Sequence, residues 1–120
     1  MRKMLVATGW GWAAAIVWLS LAPAQPMVEL DHGDKAGHLA AYGLLMFWFA
    51  QLYARARARI AYAAGFIALG VALELAQGAL AYRHFDLLDV LANVLGVALG
   101  WALARMAPQL LPRPGNQSRV

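Results

Sequence analysis

Apolar residues run along this chain in four blocks, separated by short polar breaks. The blocks cover about residues 4–22, 36–53, 60–81 and 87–106. Each approaches the ~20 residues that a helix needs to cross the hydrocarbon core of a bilayer. The breaks are a Pro-containing segment at 23–35, the basic stretch "RARAR" at 55–59, and "YRHFD" at 82–86. Connections this short make consecutive helices antiparallel neighbours. The pattern therefore predicts an all-α polytopic membrane protein, a four-transmembrane-helix antiparallel bundle over residues 1–107. The Pro- and Gly-bearing stretch 108–120 reads as a polar, flexible cytoplasmic tail.

Composition supports the membrane over a soluble core. Of the 120 residues, 62% are hydrophobic and 13% charged, the latter about half the share of a soluble domain. A water-soluble chain of this size has too much surface to hide so much apolar side chain. Cysteine is absent, so neither disulfides nor thiolate metal sites enter the picture. The net charge of +4 is divided between the termini and one short run. It comes without a phosphate loop, zinc-finger spacing or aromatic RNA-binding pattern, which argues against nucleic acid.

The distribution of that charge sets an orientation. Arg2, Lys3, Arg55, Arg57, Arg59, Arg105, Arg113 and Arg119 fall on one side of the predicted bundle, Lys35 and Arg83 on the other. The positive-inside rule then places both termini in the cytoplasm. Five acids, Glu29, Asp31, Asp34, Asp86 and Asp89, belong to the outer face or its edge. A second reading of the N-terminus takes Arg2-Lys3, the apolar run and "APA" (22–24) as a cleavable signal peptide. The run is longer than a usual signal core and holds three Trp, which favours a retained helix.

The polar residues inside the blocks are not scattered. Lys35, His38 and Tyr42 are spaced i, i+3, i+7 and share a face of the second helix. Glu74 and Gln77 share a face of the third. Asp86, Asp89 and Asn93 repeat the i, i+3, i+7 spacing in the fourth, where Gly96 and Gly100 continue the stripe. All of these lie towards the outer ends of their helices. A charged side chain in hydrocarbon costs at least ~2.5–3.5 kcal/mol on insertion scales, and such groups face the bundle interior. The three polar faces are thus expected to line a shared pocket open to the outside. The small-xxx-small spacing of Gly96 and Gly100 is expected to let helices approach closely.

"DKAGHLAAY" (34–42), "ELAQ" (74–77) and "RHFDLLDVLANVLGVALG" (83–100), with "SLAP" (20–23) before them, resemble the VanZ-like family of small bacterial membrane proteins. The likeness covers nearly the whole chain in order. The family's recurrent positions fall on Asp34, Lys35, His38, Tyr42, Glu74, Gln77, Arg83, Asp89, Asn93, Gly96 and Gly100. The resemblance implies a bacterial inner-membrane setting in the cell envelope and, through the family's eponym, a link to glycopeptide (teicoplanin) resistance. It implies no established reaction.

Three kinds of function suit such a pocket. As a binding site it would take an envelope lipid headgroup, a lipid-linked precursor or an acylated glycopeptide. Lys35 and Arg83 would meet phosphate or carboxylate, and Asp34, His38, Tyr42, Glu74, Gln77, Asp89 and Asn93 would complete the site. As a scaffold, Asp34 would cap the second helix, Asp86 or Asp89 the fourth, and Arg83 would pair with Glu74 or Asp89. As an enzyme acting on lipid-phosphate or acyl substrates, His38 would be the base, held by Glu74 or Asp89. Catalysis is the weaker reading, because no activated nucleophile accompanies His38. His38, His84, Glu74, Asp86 and Asp89 offer N and O donors, but no H-E-x-x-H-type spacing, so neither a metal nor another cofactor is implied. Glu74 could relay protons, yet no matching group marks the inner half of the helices. Membrane lipids are the expected partners, and a homo-oligomer stays open.

Overall fold

A computed structural model of the chain describes residues 2–21, 33–53, 55–79, 87–108 and 110, with the side chains of Arg2, Asp34 and Lys35 outside the description. The described residues form four helices: α1 (Arg2–Leu21), α2 (Gly33–Leu52), α3 (Ala56–Gly78) and α4 (Leu87–Met106). At 1.5 Å per residue, 20 to 23 residues make rods of about 30–35 Å, comparable to a bilayer core of ~30 Å. α1, α3 and α4 are long and apolar enough to cross a membrane.

The ends of the elements follow from local chemistry. α3 begins four residues before Ile60, at Ala56, because alternating Ala and Arg are strong helix formers. Arg55 precedes it in an extended conformation without a side-chain cap. α3 ends at Gly78, where the Ala79 N–H turns back to donate to the Ala76 carbonyl at 3.0 Å. α4 stops two residues before Pro108, whose ring disfavours helical geometry at the preceding residue. α2 starts at Gly33, so Asp34 lies inside its first turn and not ahead of it.

α2 is the central helix. Leu45, Met46, Phe49, Ala50 and Leu52 are fully buried, and α2 packs most extensively against α4. The two run side by side at backbone contact. A Cβ on Gly96 would collide with the Leu39 carbonyl oxygen, and one on Gly100 with that of Gly43. Gly43 in turn faces the Gly96 carbonyl, with 3.2 Å for an added Cβ. The expectation of close approach at Gly96 and Gly100 is met, and its partner is a third glycine on α2. Gly70 on α3 makes room for Asn93, whose Nδ2 would lie 2.9 Å from a Cβ there.

α1 closes over α2 through two indoles. Trp12 Nε1 donates to the Ala41 carbonyl at 3.1 Å, and Trp48 Nε1 to that of Leu5 at 2.9 Å. Phe49, Tyr53, Tyr62 and Phe66, with Trp10 edge-on, form an aromatic layer joining α1, α2 and α3. Outside this core, Leu87, Leu91, Leu95, Leu99 and Leu103 form an exposed stripe on α4 at i+4 spacing. An apolar ladder of this extent suits acyl chains and not water.

Candidate functional site

Near one end of the molecule, polar side chains from α2, α3 and α4 converge. Asn93 and Tyr42 are 2% exposed, Glu74 1%, Gln77 4% and Asp89 6%. α4 supplies Asp89 and Asn93 one turn apart on its buried stripe, which continues into Gly96 and Gly100. α3 supplies Glu74 and Gln77 on the face that carries Gly70. α2 supplies His38 and, one turn further on, Tyr42.

His38 is the hub. Its Nδ1 and the Asn93 Oδ1 are 3.0 Å apart, a hydrogen bond in which the imidazole N–H donates to the amide oxygen. Its Nε2 lies 3.8 Å from Asp89 Oδ2, an ion pair when the ring carries both protons. Its side chain remains 17% exposed, which makes it the least enclosed member of the cluster. Asn93 reaches across to α3 through the gap left by Gly70, one turn from Glu74. Glu74 stands four residues from the end of α3, about 6 Å along the helix, closer to the end than the expected boundary at residue 81 implies. Its carboxylate is near enough to Tyr42 to act on it electrostatically.

Gln77 has a different occupation. Its Nε2 donates to the Ser20 carbonyl at 2.7 Å. Ser20 lies in the last turn of α1, where carbonyls have no helical partner, so Gln77 ties α3 to the end of α1. The structure brings His38, Tyr42, Glu74, Asp89 and Asn93 together, with Gln77 at their edge. Asp34 and Lys35 fall in the first turn of α2, at the same end. The expected roles of Arg83, His84 and Asp86 lie outside the described residues, as do those of the Lys35 and Asp34 side chains. Among the described residues no group of three or more His, Asp or Glu is gathered as a metal ion would require.

The opposite end is organised by residues that spacing did not single out. Arg59 Nε donates to the carbonyls of Tyr53 (2.9 Å) and Ala50 (3.1 Å), and its terminal nitrogen also reaches Ala50 (2.6 Å), closing the end of α2. Gln51, 1% exposed, donates to the Pro108 carbonyl at 3.2 Å and accepts from the Leu110 N–H at 2.6 Å. A polar residue late in an apolar helix was the available signal for Gln51. Two grooves are described, one of about 410 Å³ beside Trp10 and Tyr62 and one of about 280 Å³ beside Trp12 and Trp48. Both are apolar, and neither is lined by the converging polar residues.

These features define an all-helical membrane protein whose interior polar groups gather at one end of its helices. The family described as VanZ/LLP1 matches residues 3–108, and the chain belongs to this VanZ-like family. A protein of Schizosaccharomyces pombe, described as uncharacterized, is 33% identical over 89 residues, covering 72% of this chain. The match takes in 53% of the yeast protein, so the chain spans about half the length of that relative. No solved structure matches.

Proposed function

We propose that the chain is a four-crossing protein of the bacterial inner membrane, with cytoplasmic termini, whose polar cluster binds the polar part of an envelope molecule. The ligand class is a lipid headgroup, a lipid-linked precursor or an acylated glycopeptide, and the last would connect this chain to antibiotic resistance. α2 is the fourth crossing. Its lower hydropathy comes from Asp34, Lys35, His38 and Gln51, and a helix sheathed by three others needs no continuous apolar perimeter. The directions implied by the residue pairs support an alternating bundle. α2 meets α4 in ascending order at 39/96 and 47/100 and meets α3 in descending order at 49/66 and 53/62.

The observation that carries the binding reading is the burial of two carboxylates, Glu74 and Asp89, in a cluster whose described side chains include one cation-forming group, His38. Burying charge costs several kcal/mol, and a scaffold could be built from apolar side chains at lower cost. Retaining acids, an amide, a phenol and an imidazole at one level suits recognition of a polar headgroup entering past His38. Lys35 and Arg83 supply the positive charge that phosphate or carboxylate requires. Asp34 completes the set.

The scaffold reading is favoured by one observation, the Gln77 bond to the Ser20 carbonyl. Its stabilising role is complete without a ligand. The two are separated by Glu74→Gln. A binding site loses its co-purifying ligand, while the variant and the parent stripped of ligand melt at the same temperature. A scaffold shows a lowered melting temperature and nothing more.

A further inference from the structure

The larger groove lies between α1 and α3, away from the polar cluster. Trp10, Ala61, Tyr62, Gly65, Phe66 and Leu69 line it, and its walls are almost wholly hydrocarbon. Its volume of about 410 Å³ falls in the ~300–1,000 Å³ range of small-molecule sites. The groove exists because α3 presents Ala61 and Gly65 on successive turns. A Cβ at Gly65 would meet nothing within 4 Å.

The same i, i+4 stripe leads back from Gly65 and Ala61 to Arg57, which is exposed. On α1, Lys3 is also exposed and precedes Trp10 by two helical turns, on one face. α1 and α3 point the same way, since Trp10 stands beside Tyr62 and Ser20 meets Gln77. Lys3 and Arg57 therefore stand at the same end of the groove. Arg59 is occupied with the carbonyls closing α2. Glu74 and Asp89, the acids among the described side chains, are at the far end of the bundle.

We infer that this groove holds an acyl chain of an anionic phospholipid from the surrounding leaflet, with its phosphate set between Lys3 and Arg57. An apolar slot capped by two basic side chains complements the two halves of such a molecule. A second copy of the chain packed about a two-fold axis would instead bring Lys3 and Arg57 against their own kind. Basic side chains at an anionic surface each strengthen lipid attraction about fivefold. The site is separate from the polar cluster and does not depend on its function.

Native mass spectrometry of the detergent-extracted chain, titrated with phosphatidylglycerol or phosphatidylcholine of matched chain length, tests the inference. The parent should take one phosphatidylglycerol at least about fivefold more tightly than phosphatidylcholine. Gly65→Leu fills open space, so it should fold as the parent does and lose the bound lipid of either kind. Lys3→Gln with Arg57→Gln should bring the two lipids to parity, and Arg57→Lys should keep the preference. Equal binding of both lipids by the parent, or an unchanged adduct in Gly65→Leu, overturns it. Should Gly65→Leu fail to fold, the charge variants alone decide, and an undiminished preference in the double variant refutes the site.

Discussion

Asn93 occupies a junction of three helices: it belongs to α4, accepts from His38 of α2 and enters the space above Gly70 of α3. Replacing it with Leu leaves the His38 N–H without this acceptor and presses a branched side chain against Gly70. We expect a destabilisation of about 1–3 kcal/mol, in line with an unsatisfied buried donor, read as a lowered unfolding midpoint in mild detergent. An unchanged midpoint would show that the His38–Asn93 bond contributes nothing to folding. Helical spacing made the candidates legible here, because His38, Tyr42, Glu74, Asp89 and Asn93 all lie on faces a 3.6-residue period selects. Gln77 shares that face with Glu74, yet its amide serves a backbone carbonyl at the end of α1. Sequence patterns register side chains, whereas an orphan carbonyl becomes visible only once the helix end is placed. The same blindness hid the tasks of Trp12, Trp48 and Arg59, all of which donate to carbonyls of distant or terminal turns.

α2 and α4 meet through glycine on both sides, and this contact was half visible in advance. Gly96-xxx-Gly100 stands out as a spacing, while the lone Gly43 that receives it does not. Gly96→Ala should cost about 1–3 kcal/mol or more through overpacking, because the obstacle is the Leu39 carbonyl of a rigid helix and cannot swing aside. Gly65→Ala, introduced into open space, is the control and should leave the midpoint unchanged or raise it. Comparable gains in both variants would mean that helix propensity, and not the α2–α4 contact, governs stability. α2 also depends on Arg59 at its end. Arg59→Ala should destabilise by about 1.5–3 kcal/mol, the range for hydrogen bonds to charged groups, and Arg59→Lys should recover part of that loss. The arginine-rich stretch read as a turn on charge alone, but alanines alternating with arginines extend α3 through it to residue 56.

Across the whole molecule, polarity is divided between two ends. Lys3, Arg55, Arg57 and Arg105 are exposed at one, and the His38–Asn93–Asp89 cluster is buried near the other. Because the chain has no cysteine, single cysteines report sidedness without background. Gly78→Cys should react with a membrane-impermeant maleimide in intact cells, and Arg55→Cys only after the membrane is breached. Labelling of both from the same side would remove the crossing assigned to α3. The four blocks and their polar faces were readable because lipid imposes a severe filter: every unshielded polar residue in a span is costly, so those present are few and informative. The central position of α2 was not readable, since burial by protein and burial by lipid select similar side chains.

The most direct measurement of ligand binding at the polar cluster is native mass spectrometry of the gently extracted parent beside Glu74→Gln and Gly65→Leu. A headgroup ligand held by the cluster should remain on the parent and on Gly65→Leu, and be lost from Glu74→Gln, which should melt with the parent stripped of ligand. A ligand retained equally by Glu74→Gln, or a parent that carries none, would contradict the assignment of these buried acids to recognition.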